Sequence, residues 1–366
     1  MDIPLVDLKA NYLSIKNEID QTIQQVIDET AFIKGKHLEE FEKNYADFCN
    51  TKHAIGASSG TTALHLALES TELQQNDEII TVSNTFIATT ECISQNGGKI
   101  KFVDVEPNTG LIDIDELEKN ITPQTKAIVV VHLYGQMPNM ERIKKIADQH
   151  NLILIEDAAQ AHYAEWNHHQ PGYYGDIASF SFYPAKNLGC YGDGGAIVTN
   201  DDKIAKKAQL LVDHGRKEKY EHQIEGYNYR LDALQAAILN TKLPHLPRWT
   251  KLRRQHAKFY DENLPEGIMT PEEAKQAKHV YYMYEIRTKK RNQLKKYLKK
   301  QGIHCGIHYP IPLHLQPAYK KLGYKKGSLP VTEKISQEIL SLPMYPELTV
   351  EQLDYIVENI KKFFKK

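Results

Sequence analysis

The sequence predicts an α/β protein: a large domain with an N-terminal arm and a mainly parallel β-sheet sandwiched by helices, then a smaller C-terminal α/β domain. Between about Ala54 and Val212, strand-like apolar runs alternate with helical or turn segments, which is typical of a parallel sheet covered on both faces. The 366 residues, 41% hydrophobic and 25% charged, suffice for two buried cores. We place the boundary between residues 1–245 and 246–366.

Apolar runs mark the strands of the large domain in chain order. A helical or turn segment follows each of the first four runs, which is why the sheet is predicted to be mainly parallel. We expect strands over Glu78–Val82, Ile100–Val103, Ala127–Val131, Leu152–Ile155 and Asp176–Phe182.

The pattern changes after Tyr227, where the apolar spacing predicts one long helix through Leu231 and Leu243. We expect this helix to end near Pro244 and Pro247, because proline cannot continue a helix.

Two further segments are a polar stretch before the long helix and the C-terminal part of the chain. The polar segment Arg216–Tyr229 is either a mobile loop at the mouth of an active site or an ordinary surface connection, and the sequence leaves both open. From about Trp249 onward the sequence predicts the smaller domain, with Tyr281–Arg287 as one of its strands.

Lys186 is the residue whose surroundings say most about function. It lies between an apolar, aromatic run, SFSFYPA, and a turn that contains Gly192, Gly194 and Gly195. Such a neighbourhood indicates a pocket wall, where loss of hydration lowers the pKa of an amine and allows it to form a Schiff base with an aldehyde. A lysine on an exposed turn is the alternative that this segment alone leaves open.

A carboxylate elsewhere in the chain favours the first interpretation. Glu156 and Asp157 follow a buried apolar run, at the carboxyl end of a strand where open α/β sheets bind their ligands. An acid in this position is often only a helix cap. Together with Lys186, however, Asp157 suits pyridoxal 5'-phosphate, whose pyridine nitrogen must stay protonated for the ring to withdraw electrons.

The cofactor phosphate requires an anion site, and the segment SSGTTAL offers one. Ser59, Gly60 and Thr61 stand where a short strand leads into a helix, so that backbone N–H groups and the helix dipole face an anion. Serine and threonine also cap many helices without binding anything. Ser181 is a second candidate hydroxyl, and Phe86 either stacks on the cofactor ring or belongs to the core.

Six motifs occur in one order along the chain: SSGTTAL, NTFIATTE, EDAAQAH, SFYPAKNLGCYGDGGA, GYNYRLDALQAAIL and HYPIPLHLQPAY. Together they resemble the nucleotide-sugar aminotransferases of the DegT/StrS family, and the resemblance extends from Pro4–Leu8 to Leu342–Pro346. It implies pyridoxal 5'-phosphate as cofactor and the fold type I of aspartate aminotransferase, with a seven-stranded sheet in the large domain.

The resemblance also implies roles for the cofactor-binding residues. Lys186 would hold the cofactor aldehyde as an imine and act as general acid and base, and Asp157 would pair with the pyridine nitrogen. Gln160 would lie near the ring hydroxyl, and Phe86 would stack on the ring. The phosphate would be held by Ser59, Gly60, Thr61 and Ser181, and by Asn228 of a neighbouring subunit.

Substrate contacts are implied at three further positions. Arg230 would project from the neighbouring subunit towards the substrate, and His308 and Tyr309 would approach the sugar. The resemblance therefore predicts a homodimer with shared active sites. Where this chain has Tyr163, many relatives have glycine; its phenol either narrows the pocket or packs against a neighbouring loop.

The expected reaction is amination of a keto-deoxysugar on a nucleoside diphosphate, with glutamate as donor, for cell-surface polysaccharide or glycoconjugate biosynthesis. Relatives that dehydrate have histidine in place of the lysine, so Lys186 favours transamination. HYPIPLHLQPAY resembles the 3-aminotransferase branch, whereas GYNYRLD also occurs among 4-keto-sugar and aminocyclitol enzymes. Two other classes stay open: another lysine-dependent enzyme of this cofactor, such as a cysteine desulfurase, and a non-catalytic regulatory protein of the same fold.

Composition excludes several partners. The formal net charge is −1, from 46 basic and 47 acidic residues, which predicts neither a nucleic-acid surface nor a membrane surface. The 16 histidines show no metal-ligand spacing, so no metal is expected.

The N-terminus resembles no signal peptide, and we expect a cytoplasmic protein. Its cysteines are widely spaced, as in reducing compartments; they are Cys49, Cys92, Cys190 and Cys305.

Overall fold

The structure is a computed structural model that describes residues 1–365. Its α-helices are α1 Leu8–Ser14, α2 Lys16–Asp28, α3 Lys36–Cys49, α4 Gly60–Glu69, α5 Ala88–Gln95, α6 Ile114–Lys119, α7 Met140–Gln149, α8 Asp202–Leu211, α9 Ala233–Lys242, α10 Leu246–Asn263, α11 Arg291–Lys300, α12 Pro330–Glu338 and α13 Val350–Phe364. Within these residues, no helix combines the length and the apolar composition that crossing a bilayer requires.

The strands are β1 His53–Ala57, β2 Glu78–Val82, β3 Lys99–Val103, β4 Thr125–Val131, β5 Ile153–Asp157, β6 Glu165–Trp166, β7 Ile177–Ser181, β8 Gly195–Thr199, β9 Arg216–Glu218, β10 Glu221–His222, β11 Ala277–Lys278, β12 Tyr284–Arg287 and β13 Ile339–Leu342. Seven of them form the central sheet in the order β1-β8-β7-β5-β4-β2-β3. The strands β7, β5, β4, β2 and β3 run parallel, whereas β8 is antiparallel to both of its neighbours. The predicted mainly parallel, seven-stranded sheet is thereby confirmed.

The sheet is buried on both faces because its strands are apolar at successive positions. Side chains alternate between the faces of a strand, and in β2 Ile80 and Val82 join one core cluster while Ile79 joins the other. Helix α3 contributes Phe41 to the first cluster, and α4 contributes Leu66 to the second. Helices therefore cover both faces, as the sequence predicts.

A third core cluster lies in the C-terminal part of the chain. It packs β12 and β13 against α10, α11 and α13, with Tyr284, Leu294 and Ile356 fully buried. The N-terminus joins this cluster: Ile3 is fully buried there, and its backbone pairs with Ile303. The division at residue 245 stays a prediction.

Helix α9 ends at Lys242, close to the predicted end near Pro244 and Pro247. A short 3-10 turn, Leu243–His245, links α9 to α10, and the helical path extends to Asn263. Both prolines occupy one of the first two positions of a new helical segment. An N–H at such a position has no partner within the helix, so its absence there costs nothing.

Two further expectations are refined. The predicted strand 281–287 begins only at Tyr284, because the N–H groups of Val280 and Tyr282 donate to the carbonyls of Gly135 and Tyr134 instead. The polar segment 216–229 contains the antiparallel hairpin of β9 and β10, with Tyr220 86% exposed.

Candidate active site

A cavity of about 440 Å³ opens at the carboxyl ends of β4, β5 and β7. Its position agrees with the rule that open α/β sheets bind ligands beyond the ends of their parallel strands. Nine of the residues predicted from the sequence line it: Ser59, Gly60, Thr61, Phe86, Asp157, Gln160, Ser181, Lys186 and Tyr309.

One side of the cavity is the N-terminus of α4. Ser59 caps this helix, since its hydroxyl accepts a hydrogen bond from the N–H of Thr62 at 3.1 Å, and the Thr62 hydroxyl accepts one from the N–H of Ser59 at 2.9 Å. The N–H groups of Gly60 and Thr61 have no partner within the helix and carry its positive dipole end.

Glycine is required at position 60 because β7 approaches closely. A Cβ atom placed on Gly60 would lie 2.4 Å from the Cβ and 2.7 Å from the Oγ of Ser181. The absent side chain lets the Ser181 hydroxyl face the helix start, so that backbone N–H groups and a hydroxyl converge on one point. This cradle fits a phosphate dianion.

Lys186 lies in the loop between β7 and β8, with its ammonium 4.2 Å from the centroid of the Tyr282 ring. The backbone N–H of Lys186 donates to the Tyr183 carbonyl at 2.8 Å, which fixes the turn that carries it. Loss of hydration lowers the pKa of the Lys186 amine to about 8, and the negative charge of Asp157 opposes this shift. An amine with such a pKa is partly neutral near physiological pH, as a nucleophile towards an aldehyde must be.

We expect the lowered pKa to appear in the acetylation of cofactor-free protein by acetic anhydride. Only the neutral amine reacts. With a pKa of about 8, the Lys186 rate rises about tenfold from pH 6 to 7 and by less than about twofold above pH 8, whereas the side-chain amine of N-acetyl-lysine amide, with a pKa of about 10.4, still gains about tenfold from pH 8 to 9. Peptide mapping by mass spectrometry, with N-acetyl-lysine amide in the same solution, measures both rates. Parallel rises up to pH 10 would contradict the expectation.

Asp157 ends β5 on the cavity floor and is 7% exposed. Its Oδ2 accepts a hydrogen bond from the Thr89 hydroxyl at 2.8 Å, and its Oδ1 accepts one from the Ala159 N–H at 3.2 Å. Burial raises the pKa of the Asp157 carboxyl, and these two hydrogen bonds oppose the shift. A buried carboxylate of this kind suits a pyridinium N–H, which would add the cationic donor that it otherwise lacks.

Gln160 and Tyr309 line the opposite wall. The Gln160 Oε1 accepts from the backbone N–H of Tyr134 at 2.6 Å, and its Nε2 lies 3.4 Å from the Tyr309 hydroxyl. The Tyr309 ring centroid is 6.0 Å from that of Phe86, which is 53% exposed at the cavity mouth. Phe86 is thus no core residue, and its ring is available to stack on a planar ligand.

Three predicted residues within the described chain do not line the cavity of their own subunit. Asn228 is exposed, and Arg230 donates to Oδ1 of Asp213 at 2.5 Å. The His308 ring is turned away, with Nδ1 2.6 Å from the Ser341 hydroxyl. Their assigned roles stay predictions.

Sequence reasoning missed several lining residues. Thr85 and Thr89 both face the cavity, and their spacing of one helical turn within NTFIATTE is a signal that could have placed them together. Tyr282 belongs to the distant C-terminal part of the chain, where no local pattern indicates a partner of Lys186. Tyr183 also lines the cavity and is 56% exposed.

Tyr163 does not narrow the cavity. Its ring packs against Phe48 with a centroid distance of 5.2 Å, and the Lys278 ammonium lies 3.2 Å from its centroid. The residue therefore packs outside the cavity, as in the second hypothesis, but against α3 and β11 and not against a loop.

The cysteines also lie outside the site. All four, which belong to residues 1–365, are free, and none lines the cavity. Burial raises the pKa of the Cys190 thiol to about 11 and that of Cys305 to about 12. Neither thiol is a reactive thiolate, which counts against a cysteine desulfurase.

Comparison with known proteins identifies the family. A family model described as the DegT/DnrJ/EryC1/StrS aminotransferase family matches residues 13–361. The chain belongs to this family. The resemblance drawn from the six motifs is confirmed, and the chain is a pyridoxal-phosphate-dependent enzyme, an aminotransferase.

Individual relatives of the family match along their whole length. A pleiotropic regulatory protein of Geobacillus stearothermophilus is 47% identical over 369 residues, which cover 100% of this chain and 99% of the relative. A dTDP-3-amino-3,4,6-trideoxy-alpha-D-glucose transaminase of Streptomyces venezuelae is 40% identical over 365 residues, 99% and 96% of the two chains. The solved structure of S. venezuelae DesV in complex with a ketimine intermediate has a TM-score of 0.97 at 38% identity, covering 100% of this chain and 99% of that one.

Proposed function

We propose that this aminotransferase converts a 3-keto-deoxysugar on a nucleoside diphosphate to the 3-amino sugar, with glutamate as amino donor, for polysaccharide or glycoconjugate biosynthesis in the cytoplasm. The observation that carries the proposal is the single cavity that Lys186, Asp157 and the anion cradle of α4 share. The 3-amino position is supported by the name of the S. venezuelae transaminase, which matches 99% of this chain.

Each part of the cavity has a task in this reaction. Bound pyridoxal phosphate supplies an aldehyde and an electron-withdrawing ring. The Gly60 and Thr61 N–H groups with the Ser181 hydroxyl bind the phosphate, and Asp157 keeps the ring nitrogen protonated. Lys186 Nζ lines the cavity beside these groups and would take the α-proton of the donor, and it would return a proton to the sugar carbon in the second half-reaction.

The proposal includes a homodimer in which each subunit completes the site of the other. Phe86 and Tyr183 at the cavity mouth are 53% and 56% exposed in one subunit. Large apolar side chains that rim a cavity indicate a surface that another protein face covers. Asn228 and Arg230, which lie outside their own cavity, are the residues that we assign to the partner's site.

Two alternatives are weighed against specific observations. A 4-keto-sugar or aminocyclitol acceptor would use the same cofactor residues and differs only in the acceptor. A non-catalytic regulatory role has the name of the G. stearothermophilus relative in its favour. Against it, Lys186 with its lowered pKa and the buried Asp157 both face the cavity, an arrangement that catalysis requires and ligand sensing alone does not.

Absorbance spectra and product analysis test the proposal. We expect a visible band from pyridoxal phosphate bound to the protein, which glutamate converts to the pyridoxamine phosphate spectrum. The converted protein then aminates a nucleoside-diphosphate 3-keto-deoxysugar, and NMR locates the new amine on carbon 3. A 4-keto isomer in a parallel reaction serves as control. Absence of the visible band would refute the assignment as a pyridoxal phosphate enzyme. A band that glutamate does not change would refute glutamate as the amino donor. Faster conversion of the 4-keto isomer would make the 4-keto sugar the acceptor.

A further inference from the structure

We propose that Thr89 is a positioning residue which, with Thr85 behind it, keeps the Asp157 carboxylate ionised and oriented towards the cofactor ring. The inference rests on the pairing of Asp157 with the ring nitrogen, which belongs to the proposed function. It goes beyond that pairing because it assigns the protonation state of the ring nitrogen to two hydroxyl groups, that of Thr85 between β2 and α5 and that of Thr89 in the first turn of α5.

The three side chains form one buried row. The Thr85 and Thr89 hydroxyl oxygens are 2.9 Å apart, and the Thr89 Oγ1 is 2.8 Å from Oδ2 of Asp157. Their exposed fractions are 3%, 1% and 7% in the order Thr85, Thr89, Asp157. Thr89 lies in the first turn of α5, and Thr85 lies in the bend that precedes this helix, from which its hydroxyl reaches that of Thr89.

The direction of the hydrogen bonds follows from the proton count. An ionised carboxylate only accepts, so the single Thr89 hydroxyl proton points to Asp157. The Thr89 oxygen can then only accept from Thr85, whose proton points to Thr89. Donation from Thr85 polarises the Thr89 hydroxyl and strengthens its bond to the carboxylate.

The hydrogen bonds of this row oppose the effect of burial on the pKa of Asp157. Burial raises the pKa of its carboxyl, whereas the Thr89 hydroxyl, the Ala159 N–H and the charges of Lys186 and His132 act in the opposite direction. Each carboxylate oxygen accepts one hydrogen bond from the protein and keeps lone pairs for a donor in the cavity. If Thr89 no longer donates, the carboxylate gains basicity and takes the proton of the ring nitrogen. The ring then loses the positive charge on which its electron withdrawal depends.

The chain offers a matched control one residue away. Thr90 is on the same helix and is fully buried, and its hydroxyl lies 3.0 Å from the Ile87 carbonyl and 2.7 Å from the Tyr319 hydroxyl, without contact to Asp157. Replacing either threonine by valine keeps the shape of the side chain and removes one buried hydroxyl. Any difference between the two variants therefore reports the contact with Asp157 and not the loss of a buried hydrogen bond.

The test measures the ¹⁵N resonance of the ring nitrogen in holoenzyme loaded with ¹⁵N-labelled pyridoxal phosphate. We expect Thr89→Val to move the signal from the protonated towards the unprotonated pyridine position and to lower kcat by about ten- to hundredfold, the effect of one hydrogen bond to a charged group. KM for the sugar should stay within about twofold, because the Thr89 side chain is 1% exposed and its hydroxyl is bonded to Asp157. Thr89→Ser, which keeps the hydroxyl, should restore the wild-type signal, and Thr90→Val should retain it.

Thr85→Val is a second test variant, for use if Thr89→Val does not fold. We expect it to move the ¹⁵N signal in the same direction as Thr89→Val, by a smaller amount. A wild-type signal in Thr89→Val, or an equal shift in Thr90→Val, would overturn the role of Thr89. Asp157→Asn distinguishes the pairing of Asp157 with the ring from the role of Thr89. If Asp157→Asn leaves the ¹⁵N signal of the ring unchanged, the pairing is wrong. If Asp157→Asn shifts the signal and Thr89→Val does not, only the role of Thr89 is wrong.

Discussion

Lys186→Ala is expected to lower sugar amination by on the order of 10⁴-fold and to abolish the visible band of the bound cofactor. The variant loses the only amine that lines the cavity within residues 1–365, and with it both the covalent attachment of the cofactor and the group that moves the proton. The cradle of α4 and the Asp157 carboxylate are untouched, so pyridoxal phosphate should still bind non-covalently. Absorbance spectra and a single-turnover assay of amine transfer measure the two effects separately.

A second buried lysine supplies the control for this variant. Burial also lowers the pKa of the Lys242 amine to about 8, but this lysine donates to the Gly189 carbonyl at 2.5 Å and lies outside the cavity. Lys242→Arg removes an amine of similar pKa and keeps the charge, so it should retain both band and activity. Should Lys186→Ala keep the visible band while Lys242→Arg loses it, the assignment of the reactive lysine would be wrong.

Arg230→Ala should lower amination of the nucleotide sugar by about 30-fold or more, because the contact of a guanidinium with a partly buried anion contributes roughly 2–5 kcal/mol. The decisive measurement is complementation with Lys186→Ala. In a mixed dimer with shared sites, one cavity combines Lys186 of one subunit with Arg230 of the other and is intact. About half of randomly assorted dimers are mixed, so the mixture should recover about one quarter of wild-type activity.

The matched control is Arg216→Ala. Arg216 Nη2 donates to the same oxygen of Asp213 as Arg230 Nη1 does, at 2.6 Å against 2.5 Å. Asp213 also pairs with Lys34, so either alanine variant leaves this carboxylate with two cations. We expect Arg216→Ala to keep most of its activity. If the mixture of Arg230→Ala and Lys186→Ala stays inactive while mixed dimers are present, Arg230 does not serve the partner's site.

The local sequence predicts the site residues that stand at the ends of strands. Asp157 and Ser181 could be placed because each ends an apolar run, and parallel strands bring their carboxyl ends to one edge. Ser59, Gly60 and Thr61 could be placed because small residues open a helix. In each case the position of the side chain depends on residues that are close in sequence, so a short sequence motif is enough to predict it.

Contacts between distant segments leave no such record. Tyr282 reaches Lys186 across 96 positions of sequence, and the ring contact depends on how the C-terminal part docks on the sheet. The His308 ring contacts the Ser341 hydroxyl, another remote partner, which no local pattern indicates. The sequence predicts the end of α9 near Pro244, but not the 3-10 turn and the helix α10 that follow directly, because whether a helix resumes after a proline depends on the packing of the next turn.

The pairing of Ile3 with Ile303 constrains the order in which this polypeptide can mature during synthesis. The Ile3 N–H donates to the Gly302 carbonyl at 2.7 Å, and the Ile3 carbonyl accepts from the His304 N–H at 3.0 Å. During synthesis, the segment around Ile3 therefore stays unpaired until the residues around Ile303 have been added. Closing a loop of about 300 residues is slow compared with forming local contacts. We therefore expect the segment around Ile3 to dock late in folding, after the local contacts of the central sheet have formed.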